Sequence, residues 1–526
     1  MHRRALHAHQ RGDIKTAERL YNGLLQREPD SFEALHGLGQ IHFQRGRPDT
    51  AVVLFQSALR NDPDRADGFA SLGLAFHSLR RLKEALASYD AGLRIEPDHR
   101  ELLNRRGVAL LDLQHPAEAL DCFERVLAVD PDHLDALGNS GNALIKLNRP
   151  HDALAAYDRA LVFAPGNAQL LTNRATALRR LDRPHEAQMS ASRALQAKPG
   201  SMHARFVESV AQLTLGDFAA GWRGYEARWG VGALARERRD FAGPLWLGEM
   251  LLGGKTVLLH FEQGFGDTIQ FVRYAPHLIA RGAGAVIVEV QPELKRLLSA
   301  MPGVTVVARG EPLPRYDLHC PLMSLPLACG TRLETVPEGV PYLNVPADLV
   351  DAWSGCLPDR RPRIGLVWSG ERSHDNDLNR SVRLELLLPL LDLAGVTFVS
   401  LQHEVREEDG ALLDRHPNIA RLPRTFADFA DTAAVIAALD MVIAVDSAVA
   451  HLAGAMGKPL CLLLPFAADF RWLRERKDSP WYPTARLYRQ PAFADWASVI
   501  ANLRAELIRQ PFGGVECAAC PQKLSA

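Results

Sequence analysis

At 526 residues the chain is too long for one hydrophobic core, and its length implies about three or four domain-sized units. Apolar content of 47% and charged content of 23% are those of an ordinary globular protein, and 61 basic against 62 acidic residues argue against a general nucleic-acid binder, which would carry a basic excess. The 7 cysteines (Cys122, Cys320, Cys329, Cys356, Cys461, Cys517 and Cys520) are scattered, form no disulfide framework and point to a reducing compartment.

Met1 to His7 is basic but leads into no apolar run, so no secretory signal is read there. No uncharged apolar stretch approaches the ~20 residues that span a bilayer, so no transmembrane segment is expected. Six prolines then stand at one interval: Pro29, Pro63, Pro97, Pro131, Pro165 and Pro199 are each 34 residues apart. Ala17, Ala51, Ala85, Ala119, Ala153 and Ala187 keep the same interval. Four residues after each alanine comes an aromatic, Tyr21, Phe55, Tyr89, Phe123 and Tyr157, with Ala191 in the sixth copy. Gly39, Gly73, Gly107 and Gly141, then Ala175, mark the first helix of each unit. Small residues let two helices approach, the aromatic one turn on fills the space beside them, and proline ends the second helix. The pattern resembles the tetratricopeptide repeat, whose period is 34. It implies an all-α solenoid over residues 1–199, in which neighbours stack because one unit cannot bury its own apolar face. The first unit begins nearly at Met1 and is read as an unusual cap or a truncated start. Asn104, Asn139, Asn142 and Asn173 are expected to be exposed on the concave face, as a ladder that grips an extended peptide or as plain polar surface.

After Pro199 the periodicity fades. Phe218, Trp222, Tyr225 and Trp229 share one helix face, read as a capping helix within a junction of residues 200–252 rather than an aromatic ligand box. From Thr256 the period changes. Short apolar runs at 256–261, 285–290, 303–307, 363–368, 396–401, 441–445 and 460–464 read as buried strands between helices, which means βαβ units and parallel sheet. Two Rossmann-like halves, 253–346 and 347–510, would face a cleft, with ligands at the carboxyl ends of the strands.

Those ends carry the polar residues. Gly264-Phe265-Gly266-Asp267 follows the first strand; its glycines admit positive φ and close backbone approach, and Asp267 is read as starting the helix, as cap or as catalytic group. Asp446-Ser447-Ala448-Val449-Ala450-His451 opens a helix whose free N–H groups suit a diphosphate. His451 lies one turn in, with burial in helix–sheet packing as the alternative. Trp368-Ser369-Gly370 ends another strand, and a polar loop runs on to Arg380 and Ser381, where Arg380 could meet phosphate bidentately.

These motifs resemble glycosyltransferase family 9, the heptosyltransferase-like GT-B proteins, over roughly residues 255–510. Gly266-Asp267-Thr268 matches the family's Gly-Asp pair, and Asp446 to Ala453 matches its Asp-[Ser/Thr]-x-x-x-His-Leu diphosphate motif. Trp368-Ser369-Gly370 with Asn379-Arg380-Ser381 stands at its third motif, with Arg380 for the family's lysine and Gln402 at the place of its glutamate. Gly221 to Trp229 and Leu463 to Trp472 are typical of bacterial proteins that join such repeats to such a domain.

The resemblance implies an inverting transfer from a nucleotide-diphosphate sugar to a hydroxyl of a glycan or protein. Asp267 would be the base. Gly264, Gly266, Ser369, Gly370, Arg380, Ser381, Gln402 and Asp446 to His451 would bind the donor, and the repeats would dock acceptor or partner. No cofactor is expected. No metal is expected either, because the second half is read as lacking an Asp-x-Asp motif. The alternative is a repeat scaffold with a degenerate GT-B domain. The location implied is the cytoplasm, with peripheral association at the inner membrane left open. Cys517-x-x-Cys520, in an expected flexible tail over 511–526, reads as incidental thiols.

Overall fold

The computed structural model describes residues 1–509, and contacts divide the chain into two compact units, Met1–Ala177 and Leu178 onward. The expected tail, with Cys517 and Cys520, lies outside the described residues.

The first unit is helical hairpins: α1 (His2–Gln10), α2 (Ile14–Leu25), α3 (Phe32–Gln44), α4 (Pro48–Asn61), α5 (Ala66–Ser78), α6 (Leu82–Ile95), α7 (Arg100–Asp112), α8 (Pro116–Val129), α9 (Leu134–Lys146), α10 (Pro150–Phe163) and most of α11 (Ala168–Arg180). The glycine and aromatic series meet. A Cβ on Gly39, Gly73, Gly107 or Gly141 would stand 2.5, 2.3, 2.5 or 2.4 Å from the ring of Phe55, Tyr89, Phe123 or Tyr157. The ring occupies the volume the missing side chain leaves. Arg125 and Arg159, one repeat apart, donate to the carbonyls of Pro97 and Pro131 at 2.6 and 2.8 Å and fasten the loops that the proline series marks.

One more series is conformational. Gly12, Gly46, Arg80, Gln114, Asn148, Asp182 and Gly216 follow at 34-residue intervals, and every one has positive φ, between 52° and 85°. Each sits in the turn inside a hairpin, where a left-handed residue ends the first helix.

The second unit continues with α12 (Pro184–Ala197), α13 (Met202–Thr214), α14 (Phe218–Tyr225), a 3-10 turn at Glu226–Gly230 and α15 (Gly232–Glu237). α13 and α14 form a hairpin that keeps the repeat register: Gly216 holds the left-handed turn, Gly221 the alanine position and Tyr225 the aromatic position. The expected single capping helix is therefore half of a seventh repeat-like hairpin, and it ends at Tyr225, before Trp229.

Two parallel sheets follow. The first has order β3-β2-β1-β4, from β1 (Thr256–His260), β2 (Ala285–Val290), β3 (Val304–Ala308) and β4 (Leu318–Pro321). Its helices are α16 (Phe265–Phe271), α17 (Tyr274–Ala280), α18 (Pro292–Leu298), α19 (Leu325–Ala328) and α20 (Ala347–Ser354). The second has order β10-β9-β8-β5-β6-β7, from β5 (Arg363–Val367), β6 (Thr397–Ser400), β7 (Ile419–Ala420), β8 (Met441–Val445), β9 (Leu460–Leu464) and β10 (Ala485–Arg489). With it run α21 (Asp377–Arg380), α22 (Leu384–Leu391), α23 (Glu407–Arg415), α24 (Phe429–Ala438), α25 (Ala448–Ala455) and α26 (Trp496–Arg509). Counted from β5, this is the doubly wound order, whose switch point lies between its first and fourth strands, β5 and β8. In the first sheet the chain reverses between β1 and β4. One apolar core runs through both lobes and α14, where Trp222 packs edge-on to Phe271 and Phe470, at 5.9 and 5.6 Å between ring centres.

Candidate active site

The polar strand ends collect at the two switch points. Beyond β1, Gly264 is the cap of α16 and Asp267 its third residue, whose Oδ2 accepts from the Gly264 amide at 3.0 Å. The aspartate expected to start the helix thus lies inside it. The expected positive φ is not used either. Gly264 has φ −68°, and Gly266 lies in α16, where a Cβ would stand 2.8 Å from His451 Cδ2 and 3.6 Å from Ala448 Cα. The close approach at Gly266 is to the opposing lobe's helix α25.

Across the cleft, β8 runs into α25. Ser447 stands at the cap position, yet its hydroxyl makes no cap bond and is a buried oxygen without a partner. Ser369 Oγ and Arg380 Nε are likewise buried and unpartnered. Arg380 folds over Gly370, where a Cβ would stand 2.5 Å from its Nη2, and donates from Nη1 to the Asp446 carbonyl at 3.2 Å. Ser381 receives the Gly370 amide at 3.0 Å and donates to Asp377 at 2.6 Å. The Gln402 amide is engaged by backbone: its Oε1 accepts from Trp368 and Ser369 at 3.2 Å each, and its Nε2 donates to the Ser369 carbonyl at 3.0 Å.

His451 is buried. Its ring stacks on Trp472, and its Nδ1 lies 2.9 Å from the Tyr482 hydroxyl. Burial and then Arg471 push it down to about 3, so it is neutral, and Nε2 faces Asp446 at 3.8 Å. Burial and the neighbouring Asp469 raise Asp446 to about 6. Burial also raises Asp267, against the pull of Arg471.

Contrary to the expected absence of such a motif, Asp375-Asn376-Asp377 has Asp-x-Asp spacing. Its second carboxylate is taken, since Arg406 donates to Asp377 Oδ2 at 2.6 Å while Ser381 holds Oδ1. Among the described residues no group of three or more His, Cys, Asp or Glu is placed to hold a metal ion. Metal independence therefore does not follow from the motifs of this half.

Several residues here were not singled out from sequence. Arg471, after β9, donates to Asp267 Oδ1, to Gln270 Oε1 at 2.8 Å and to Asp469 at 2.7 Å. Glu262 accepts from Arg228 at 3.0 Å and from the Met323 amide at 3.2 Å, while its Oε2 is buried without a partner. Burial carries it up to about 7, against Arg228. Tyr225 accepts from Gln263 at 3.4 Å and feels both Arg471 and Asp267. Arg179 lies within electrostatic reach of Asp469, and desolvation brings it down to about 10. Tyr225, expected on the capping-helix face, is the exception among them, and it stands one 34-residue interval beyond Ala191, at the aromatic position of the repeat.

In the first unit, Asn139 donates to Asn104 at 3.1 Å and Asn173 to Asn142 at 2.8 Å. Contrary to the expectation of exposure, Asn104 is buried and the other three are half-buried, because these amides bond to each other between repeats.

With this geometry in place, likeness to known proteins is informative. Residues 2–66, 48–100 and 104–168 match the Tetratricopeptide repeat family, and residues 402–464 match Glycosyltransferase family 9 (heptosyltransferase). The chain joins tetratricopeptide repeats to a family 9 glycosyltransferase domain. The family 9 match contains Gln402 and Asp446 to His451, and Asp267, Ser369 and Arg380 lie outside it. Protein FlbA of Caulobacter vibrioides is 27% identical over 328 residues, 58% of this chain and 54% of FlbA, so the chain spans about half the length of that relative. Among solved structures, YrrB, a TPR protein with an unusual peptide-binding site, is 18% identical, covering 35% of this chain and 95% of its own, with TM-score 0.31. PilF of Pseudomonas aeruginosa is 21% identical over 39% of this chain and 93% of its own, with TM-score 0.35. The family 9 match supports a transferase domain, and the repeat match a region of the kind that serves protein interaction. Among the described residues no helix is long and apolar enough to cross a membrane.

Proposed function

We propose that the second unit moves a sugar from a nucleotide-diphosphate donor to an acceptor hydroxyl, with inversion and without a metal. The acceptor oxygen attacks the anomeric carbon as its proton passes to Asp267. The bond from that carbon to the diphosphate breaks, and the leaving anion is held at the start of α25. The observation that carries this reading is Ser447: a cap-position serine that leaves its own hydroxyl and the first N–H groups of α25 free. Unpartnered buried donors at Ser369 and Arg380 suit the same anion. Fixed N–H dipoles and a guanidinium can stabilise a departing diphosphate in place of a metal. The repeats would dock a glycan or protein acceptor or a partner, in the cytoplasm or at the inner-membrane surface.

The rival is a scaffold whose transferase domain no longer turns over. It draws on Asp267, both of whose carboxylate oxygens are held, by Arg471 and by Gly264.

Calorimetric titration of the full chain against nucleoside diphosphates and nucleotide sugars separates the two. One nucleotide class should bind, and Arg380→Ala should weaken it by about tenfold or more, the loss of one charge-assisted contact. No binding by folded protein refutes the transferase reading. If binding is found but Asp267→Asn transfers at the wild-type rate, Asp267 is not the base.

A further inference from the structure

The segment between β9 and β10 is built around one arginine. Asp469 Oδ1 accepts from the Arg471 amide at 3.0 Å and from Arg471 Nη1 at 2.7 Å, which fixes both the 3-10 turn Phe470–Trp472 and the side chain leaving it. Two residues on, the buried Leu473 stands at φ 52°, ψ −165°. Only glycine enters that region freely, and another residue there costs about 1–3 kcal/mol. Glu475 is left-handed too, at φ 54°. The turn is held from outside. Arg489 donates to the Leu473 carbonyl at 2.8 Å, and Arg474 pairs at 3.1 Å with Asp182, the left-handed turn residue of the sixth repeat.

What this anchored turn delivers is a guanidinium that crosses from one lobe to the other. Arg471 Nε and Nη2 bind two side chains of α16, Gln270 and Asp267. Backbone strain kept at such a place signals a use for the side chain it presents.

We propose that Arg471 is a positioning residue for sugar transfer, fixing the Asp267 carboxylate in place and in its charged form. The inference rests on Asp267 as the base. A base must enter the step without its proton, and burial works against that here. The charged and titratable groups around Asp267 are Arg471 and Asp469 from this turn, His374 from the loop after β5, Glu262 from its own segment and Tyr225 from α14. Arg471 is the cation among them in direct contact. Desolvation opposes its charge, but Asp469 and Asp267 outweigh that and keep it protonated. Arg471 neither gives nor takes a proton in the step.

The test compares full-length Arg471→Gln, Arg471→Lys, Asp267→Asn and the Asp267→Asn/Arg471→Gln pair. Thermal unfolding is followed at about pH 5 and about pH 8, either side of the range where a buried carboxyl titrates. Arg471→Gln should lower Tm more at the higher pH, where it strands a charged carboxylate. That excess should shrink in the Asp267→Asn background and in Arg471→Lys. Equal losses at both pH values, or an excess untouched by Asp267→Asn, overturn the proposal. If Arg471→Gln does not fold, the double variant should; if that fails too, Arg471 is only structural. For a donor the protein turns over, the acid limb of kcat/KM should move to higher pH in Arg471→Gln and return in Arg471→Lys. A wild-type chain that turns over no nucleotide sugar sinks the transferase reading, while the unfolding data still report on the pair.

Discussion

Replacing Gly266 by alanine puts one methyl where the two lobes touch. The new Cβ would stand 2.8 Å from His451 Cδ2 and 3.4 Å from Nε2. Comfortable carbon contacts begin near about 3.5 Å, so something must give by roughly 0.7 Å. His451 cannot yield cheaply, since it stacks on Trp472 and holds the Tyr482 hydroxyl. Ala448 Cα, 3.6 Å from the same Cβ, limits the other direction. The lobes must therefore part. Overpacking of this kind costs about 1–3 kcal/mol, which for a unit of this size is a fall in Tm of roughly 1–4 °C. Nucleoside diphosphate binding should weaken about tenfold for each 1.4 kcal/mol that closure loses. Differential scanning calorimetry and titration read the two effects, and His451→Ala, which empties the space, should absorb part of both. Unchanged Tm and unchanged binding in Gly266→Ala would refute the argument that the lobes close on this contact.

Ser447→Ala separates binding from stability. A capping serine loses about 0.5–2 kcal/mol on such a change, but Ser447 caps nothing, so Tm should hold while diphosphate affinity falls; a drop in Tm with intact binding would reverse the assignment. Glu262, held up at about 7 by burial, lets the folded state bind a proton the unfolded state has lost. Stability should therefore fall by roughly 3 kcal/mol as pH rises from the unfolded value through 7, then level off. Denaturant unfolding across that range should show a flatter profile in Glu262→Gln; an identical slope would exclude this group. In the repeats, Gly107→Ala should cost about 1–3 kcal/mol against the Phe123 ring and Phe123→Ala about 3–5, with the pair losing less than the total because the methyl enters the vacated space. Additive losses would show that the two do not share that volume.

The repeat interval, the small and aromatic letters and the parallel strands could all be read in the sequence. Each is a local rule: a helix pair repeats its own packing, and a strand buried on both faces is an unbroken apolar run. The same locality placed Gly264 to Asp267 after β1 and Asp446 to His451 after β8. The left-handed turn series escaped because it is a series of conformations, occupied in turn by Gly12, Arg80, Asn148 and Asp182. The seventh hairpin escaped because Ser209 and Gly221 replace the expected letters, though Tyr225 keeps its place.

Tertiary structure alone decided what meets across the cleft. Arg471 and Asp267 are 204 residues apart, and no pattern in either neighbourhood names the other. That β8 lies beside β5, so that Ser447, Ser369 and Arg380 share one crevice, follows from strand order, which strand sequences do not encode. The raised Glu262 and the neutral His451 follow from burial among residues distant in the chain. A residue's local sequence fixes its element and its face; its charge state and its partner depend on what the rest of the chain packs against it.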